Sequence, residues 1–337
     1  MTAGDIEAAV TLASAYVDAR NHARAEQVLR DALTSSPDSA DLLANLARVQ
    51  ILVKDYQAAT GTAYAALAIS PEDAFAMRMY AIALDGVGRL ADALSVAWRA
   101  ATSHPFDRLA HYVYAELLLK AGRADDALYV VGEVLRLDPA NPDSHVLRGQ
   151  ILARLDKNQA STAAYEEALR LDPANAAAVH NIAVNRLASG RWSKAFSGFL
   201  GAARLDPELG DLARKNIGAA VTKQLRIANL IVIFIPLLAL MAREGPDQVG
   251  PRVWVGLLAA AVLVRLVWLS RMLPLRTWRS VLWSRQMLVV RLALAVAAIP
   301  VGVVAMVAPG SPVTMPAAVT LLGASVIVAF VGRVAGG

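Results

Sequence analysis

The stretch LRLDPAN at residues 135–141 returns letter for letter at residues 169–175, and a third copy, ARLDPEL, stands at residues 203–209. Its proline carries the register through the chain: Pro37, Pro71, Pro105, Pro139, Pro173 and Pro207 are all 34 residues apart. Proline cannot continue a helix and biases the residue before it away from helical backbone, so each one marks a joint. Between joints lie two apolar runs at helical spacing, broken near the middle by stretches such as DGVGRLADA, KAGRADDA and LASGRWSKA. Such a unit is a helical hairpin, and LRLDPAN is the joint between two of them.

Small residues keep the same register. With each repeat starting 31 residues before its proline, position 8 is Ala13, Ala47, Ala81, Ala115, Gly149 and Ala183. Position 20 is Ala25, Ala59, Ala93, Ala127, Ser161 and Ala195. Two helices that cross closely admit only small side chains at the crossing, which explains both columns. Position 24 carries the larger Leu29, Val131, Tyr165 and Phe199, with Ala63 and Ala97 leaving the place thin in the second and third repeats.

The period, the paired small positions and the closing proline together resemble the tetratricopeptide repeat family, over six repeats from residue 6 to about residue 209. The chain departs from that pattern in two places. Leu43, His111 and Val179 stand where the family favours a large aromatic, and the fifth repeat has LDKNQAS where a glycine is usual at the hairpin turn. The resemblance implies an all-α fold, a right-handed solenoid of helical hairpins whose concave face is lined by the first helix of each repeat. It also implies that this face binds proteins. By repeat position the groove residues are Glu7, Ser14, Asp41, Arg48, Phe75, Arg78, Tyr112, Glu116, Lys120, Gln150, Arg154 and His180. Arg48, Phe75, Arg78, Tyr112, Glu116, Lys120 and Arg154 are the strongest of these, several being residue types enriched at interfaces. Family members that grip chaperone C-terminal carboxylates do so with Lys and Asn, but Val10 and Ser14 occupy those places here.

The last third of the chain has a different character. The whole sequence is 56% hydrophobic and 18% charged, apolar for a soluble protein. Residues 223–337 hold 11 Lys and Arg against only Glu244 and Asp247, while the first 222 residues hold 22 basic against 26 acidic side chains. The net charge of +5 therefore comes from the apolar part, where membrane flanks explain it more simply than nucleic acid does. Apolar runs at about 225–242, 253–272, 287–307 and 313–332 each approach the roughly 20 residues that cross a bilayer, predicting a bundle of about four transmembrane helices. Residues 210–224 read as a capping and linking helix, because the open end of a repeat stack needs a cover. Arginine concentrates between the second and third runs, so that loop, both termini and the repeats are expected in the cytosol, with the spans in the cytoplasmic membrane.

Arg265, Trp268, Arg276, Trp278, Arg279 and Trp283 read as a membrane-interface belt contacting anionic headgroups. Arg291, inside the third run, reads as snorkelling in the same way. No cysteine is present, the five histidines lack ligand spacing, and no HExxH, nucleophile elbow or phosphate-binding glycine loop occurs. The expectation is a scaffold without catalytic, metal or cofactor residues that binds protein partners at the membrane, with oligomerisation open. The alternative is a four-span transporter or lipid-handling subunit regulated by its repeats.

Overall fold

The computed structural model describes residues 2–241, 249–272, 286–307 and 314–334, and the regular structure among them is helical. Close contacts divide the chain into two compact units, Met1–Ala178 and Val179–Gly337.

In the first unit, α1 (Ala3–Asp18) and α2 (His22–Ser35) form a hairpin. So do α3 (Ala40–Leu52) and α4 (Tyr56–Ile69), α5 (Ala74–Gly86) and α6 (Leu90–Ser103), α7 (Arg108–Lys120) and α8 (Ala124–Leu137), and α9 (Pro142–Arg154) and α10 (Asn158–Leu171). A sixth hairpin begins with α11 (Ala176–Ala188), and the division between units falls inside that helix.

The repeated motif does its work at both ends of a joint. Leu137 is the last residue of α8, the Asp138 N–H donates to the Val134 carbonyl, and Pro139 stands in the turn. Asn141 Oδ1 then accepts from the Ser144 N–H at 3.1 Å and caps α9. Ser39, Asp73 and Asp107, each 34 residues from the next, cap α3, α5 and α7 in the same way. A cap of this kind is worth about 1 kcal/mol, so the motif starts one helix as well as ending another.

The turn inside each hairpin is equally regular. Its fifteenth repeat position has left-handed backbone throughout, at Gly88, Gly122 and Gly190 (φ 82°, 79° and 72°) and at Arg20, Lys54 and Asp156 (φ 56°, 65° and 57°). Asp156 belongs to the unusual LDKNQAS stretch, so that departure leaves the turn unchanged at some conformational cost.

The two small columns form the spine of the hairpins. Ala13, Ala25, Ala47, Ala59, Ala81, Ala93, Ala115 and Ala127 are all fully buried. Where position 24 is thin, the next repeat supplies the missing volume: Met79 packs with Ala63, and Val113 and Leu117 pack with Ala97.

The second unit contains the rest of α11, α12 (Trp192–Leu205), a 3-10 turn at Pro207–Leu209, α13 (Gly210–Met241), α14 (Val249–Met272), α15 (Gln286–Val307) and α16 (Thr314–Val334). The capping segment and the first apolar run are one continuous helix of 32 residues, α13. On its capping part, Ala213, Ile217, Ala220 and Val221 are buried against Ala183, Ala195, Phe196 and Phe199, whereas Leu212 is exposed. Farther along, Val232 and Ile235 of α13 pack with Val255, Ala259 and Val262 of α14 and Ala295 and Ala298 of α15. Among the described residues three helices are long and apolar enough to cross a membrane, at Pro207–Leu238, Arg252–Arg271 and Met287–Val307, and a shorter apolar stretch runs from Pro316 to Val328. Of the expected interface belt, Arg276, Trp278, Arg279 and Trp283 lie outside the described residues.

Candidate protein-binding groove

A helix face repeats at three to four residues, so positions 2, 5, 9 and 12 of each first helix lie along one side. On α5 these are Phe75, Arg78, Ile82 and Asp85, and on α7 they include Tyr112, Glu116 and Leu119. Neighbouring first helices, α5 with α7 and α7 with α9, pack directly on one another and bring these rows together.

The rows enclose a cavity of about 380 Å³ lined by Ile82, Asp85, Val113, Glu116, Leu117, Leu119, Lys120, Leu147 and Gln150. Its floor is apolar and its rim is charged. Lys120 Nζ donates to Asp85 Oδ1 at 2.6 Å across two repeats. The Tyr112 hydroxyl donates to the Glu116 carboxylate. Partial desolvation by the surrounding groove is the main cause that pushes the Glu116 carboxyl above its usual range. The Tyr112 bond opposes that rise, while the charges of Asp85 and Asp143 add to it. Burial, then the charges of Glu116 and Asp143, likewise raise the Tyr112 hydroxyl. The cavity therefore offers an apolar seat beside one carboxylate that lacks a cation of its own.

The other expected residues are placed differently. Arg78 lies over the Phe75 ring, 5.5 Å from its centroid, and is paired with Asp107, the residue that caps α7. Arg48 Nη2 donates to Ser14 Oγ at 2.8 Å, linking position 9 of the first two repeats. Arg154 is exposed, as are Glu7 and Asp41. His180 is not a groove residue: it is 5% exposed in the second unit, within hydrogen-bond distance of Asn216 and tilted on the Phe199 ring. The structure brings Glu116, Lys120 and Gln150 to one cavity, with Tyr112 bonded to Glu116 beside it, and holds Arg78 and Arg48 in local bonds. Sequence reasoning missed Asp85 and Ile82, although their spacing from Phe75 and Arg78 already put them on the same helix face.

Three of the histidines have structural employment. Ring nitrogens of His104, His111 and His145 lie 2.8, 3.1 and 2.9 Å from the carbonyls of Glu72, Pro105 and Pro139, all in the joints between hairpins.

The tetratricopeptide repeat family is matched at residues 10–74, 79–142 and 142–175. No curated protein matches the chain. Among solved structures, PilF of Pseudomonas aeruginosa is 22% identical, with 64% of this chain aligned to 96% of that one at a TM-score of 0.51. PilW, a widely conserved type IV pilus biogenesis factor, is 17% identical over 63% of this chain and 99% of its own, with a TM-score of 0.55. Yeast Tom70 is 18% identical over 65% of this chain and 47% of its own, with a TM-score of 0.50. At these identities the likeness concerns the fold.

Proposed function

Since this chain is a tetratricopeptide repeat protein, we propose that it is a non-catalytic adaptor anchored in the cytoplasmic membrane, whose repeat groove holds a protein partner in the cytosol. Proteins of this family generally serve as scaffolds for protein interactions. The observation that carries the reading is the cavity between α5, α7 and α9, with an apolar floor and a charged rim. Its residues suit a segment that buries an apolar side chain on Ile82, Val113 and Leu147 and offers polar groups to Glu116, Lys120 and Gln150. The three long apolar helices support the anchor, and the arginines flanking them support a cytosolic repeat unit.

The test places a photo-crosslinking amino acid at Gln150, in the cavity, or at Glu133, on α8 away from it, in the full chain within its native membranes. A discrete protein adduct from position 150 and none from position 133 is the expected result. Equal adducts from both, or none from position 150, refute the groove. Protease added from the cytosolic side of sealed vesicles is expected to digest the repeats, and protection there refutes the topology.

A second reading, the transport or lipid-handling subunit, is favoured by one observation: an arginine is buried among apolar helices.

A further inference from the structure

That arginine is Arg291, one turn into α15 and only 4% exposed. It does not turn outward as a side chain reaching the headgroups would. Its Nε and Nη1 are buried without a hydrogen-bond partner. The guanidinium stays charged at any physiological pH, so the charge has to be met by an anion.

The described helices do not supply one. α14, α15 and α16 contain no Asp or Glu, and the single acid of α13, Asp211 in its first turn, is paired with Arg214. Glu244 and Asp247 follow Met241, the end of α13 that lies roughly 22 Å along the helix from Arg226. What gathers around Arg291 is more positive charge. Arg226 of α13 lies near enough to repel it. Arg265 of α14 donates from Nη2 to the buried Gln224 and leaves its own Nε without a partner. The chain neighbours of the three arginines, Leu225, Leu266 and Leu292, belong to one packed cluster, which brings these stretches of α13, α14 and α15 together.

We propose that Arg226, Arg265 and Arg291 form an internal anion site that takes a phosphate-type oxyanion. The guanidinium fork matches two oxygens of a phosphate, and the unpartnered Nε and Nη1 of Arg291 are donors awaiting such acceptors. Arg226 is exposed and carries the site to the surface of the bundle, where the exposed residues that follow it, Ile227 and Leu230, are apolar and the exposed residue one turn before it, Lys223, is basic. That border suits the phosphate of an anionic phospholipid whose acyl chains cover the apolar pair. A free phosphate ion shares the same chemistry. The site is independent of which protein occupies the groove.

The test uses the full chain, stripped of lipid in a neutral detergent, and follows thermal unfolding by tryptophan fluorescence. Five of the six tryptophans, all but Trp98, belong to the second unit. Phosphatidylglycerol or inorganic phosphate is added against sodium chloride of equal ionic strength. At a hundredfold excess over its Kd, the bound anion is expected to raise the midpoint by roughly 5–10 °C. The rise is expected to vanish in Arg291→Gln and to persist in Arg271→Gln, which removes an exposed charge from the end of α14. A response to phosphatidylglycerol alone assigns the headgroup, and a response to phosphate as well assigns the oxyanion in general; both support the site. No response to either, or an undiminished response in Arg291→Gln, overturns it. Should Arg291→Gln fail to fold, Arg226→Gln takes its place, with a reduced response expected and an undiminished one overturning the proposal.

Discussion

Gly149→Ala is the sharpest probe of how the hairpins are packed. Position 8 is alanine in the other five repeats, so a sequence average recommends the change. The structure opposes it: a Cβ on Gly149 would stand 2.4, 2.6 and 2.8 Å from Cε1, Cδ1 and Cζ of Tyr165. That ring is 2% exposed and its hydroxyl is hydrogen-bonded with Ser161, whose own Oγ donates to the Gly149 carbonyl at 2.8 Å. It has little freedom to retreat. Overpacking of this kind costs about 1–3 kcal/mol, and exchanging glycine for alanine in a helix returns up to about 1 kcal/mol. The net loss is then about 1–2 kcal/mol, seen as roughly 5- to 30-fold faster amide exchange in α9 and α10. The first repeat supplies the control. There Ala13 and Leu29 occupy the same two positions and are both fully buried. Adding Tyr165→Leu to Gly149→Ala transplants that pair, and most of the penalty that Gly149→Ala causes should disappear in the Tyr165→Leu background. Hydrogen exchange by mass spectrometry on wild type, both single variants and the double variant measures the coupling. Protection in Gly149→Ala equal to or above wild type would refute the close approach.

Three further outcomes follow from other parts of the molecule. Lys54→Gly relieves a non-glycine left-handed turn and is expected to slow amide exchange in α3 and α4, by about 1 kcal/mol in stability; faster exchange would contradict the turn geometry. Asp107→Ala removes the α7 cap and the partner of Arg78 and should cost about 2 kcal/mol, whereas Asp107→Asn keeps the cap and should cost less; equal losses by chemical denaturation would refute a contribution from the cap and assign the whole loss to the ion pair. Burial holds the His180 imidazole below its ordinary pKa, so the folded state binds fewer protons than the unfolded one and is destabilised as pH falls through about 6.5, the range where a free imidazole takes up its proton. Protection in α11–α13, taken relative to the intrinsic amide exchange rate at each pH, should fall on acidification in wild type and much less in His180→Gln, and an equal pH dependence in the two would refute the assignment.

Periodicity is a local property, and most of the fold was legible because of it. The prolines, the small columns and the caps each act within a few residues of chain, so their spacing in LRLDPAN and its copies stated where helices begin and end before any contact was known. Hydropathy did the same for the apolar runs, because a span is recognised by length and composition. The sequence could not state what lies between elements. It left position 24 thin at Ala63 and Ala97, and only packing showed the next repeat filling the space. It offered His180 as a groove residue, and the fold buried it. It split the cap from the first apolar run, which the backbone joins in one helix.

The same division holds for the candidate sites. Residue type and repeat position were enough to point to Tyr112, Glu116 and Lys120, since a repeat register fixes which face a side chain occupies. The meeting of Glu116 and Lys120 with Asp85 and Ile82 in one cavity required the stacking of α5, α7 and α9, a relation between residues about 34 apart that no local pattern encodes. Arg291 makes the point most strongly. In sequence it is one arginine near the end of an apolar run, equally suited to reaching outward or inward. The sequence determined that the charge would be there and that few acids would accompany it. The packing of three helices decided that it is buried, with Arg226 near enough to repel it, because burial is a property of what surrounds a side chain and not of the chain that carries it.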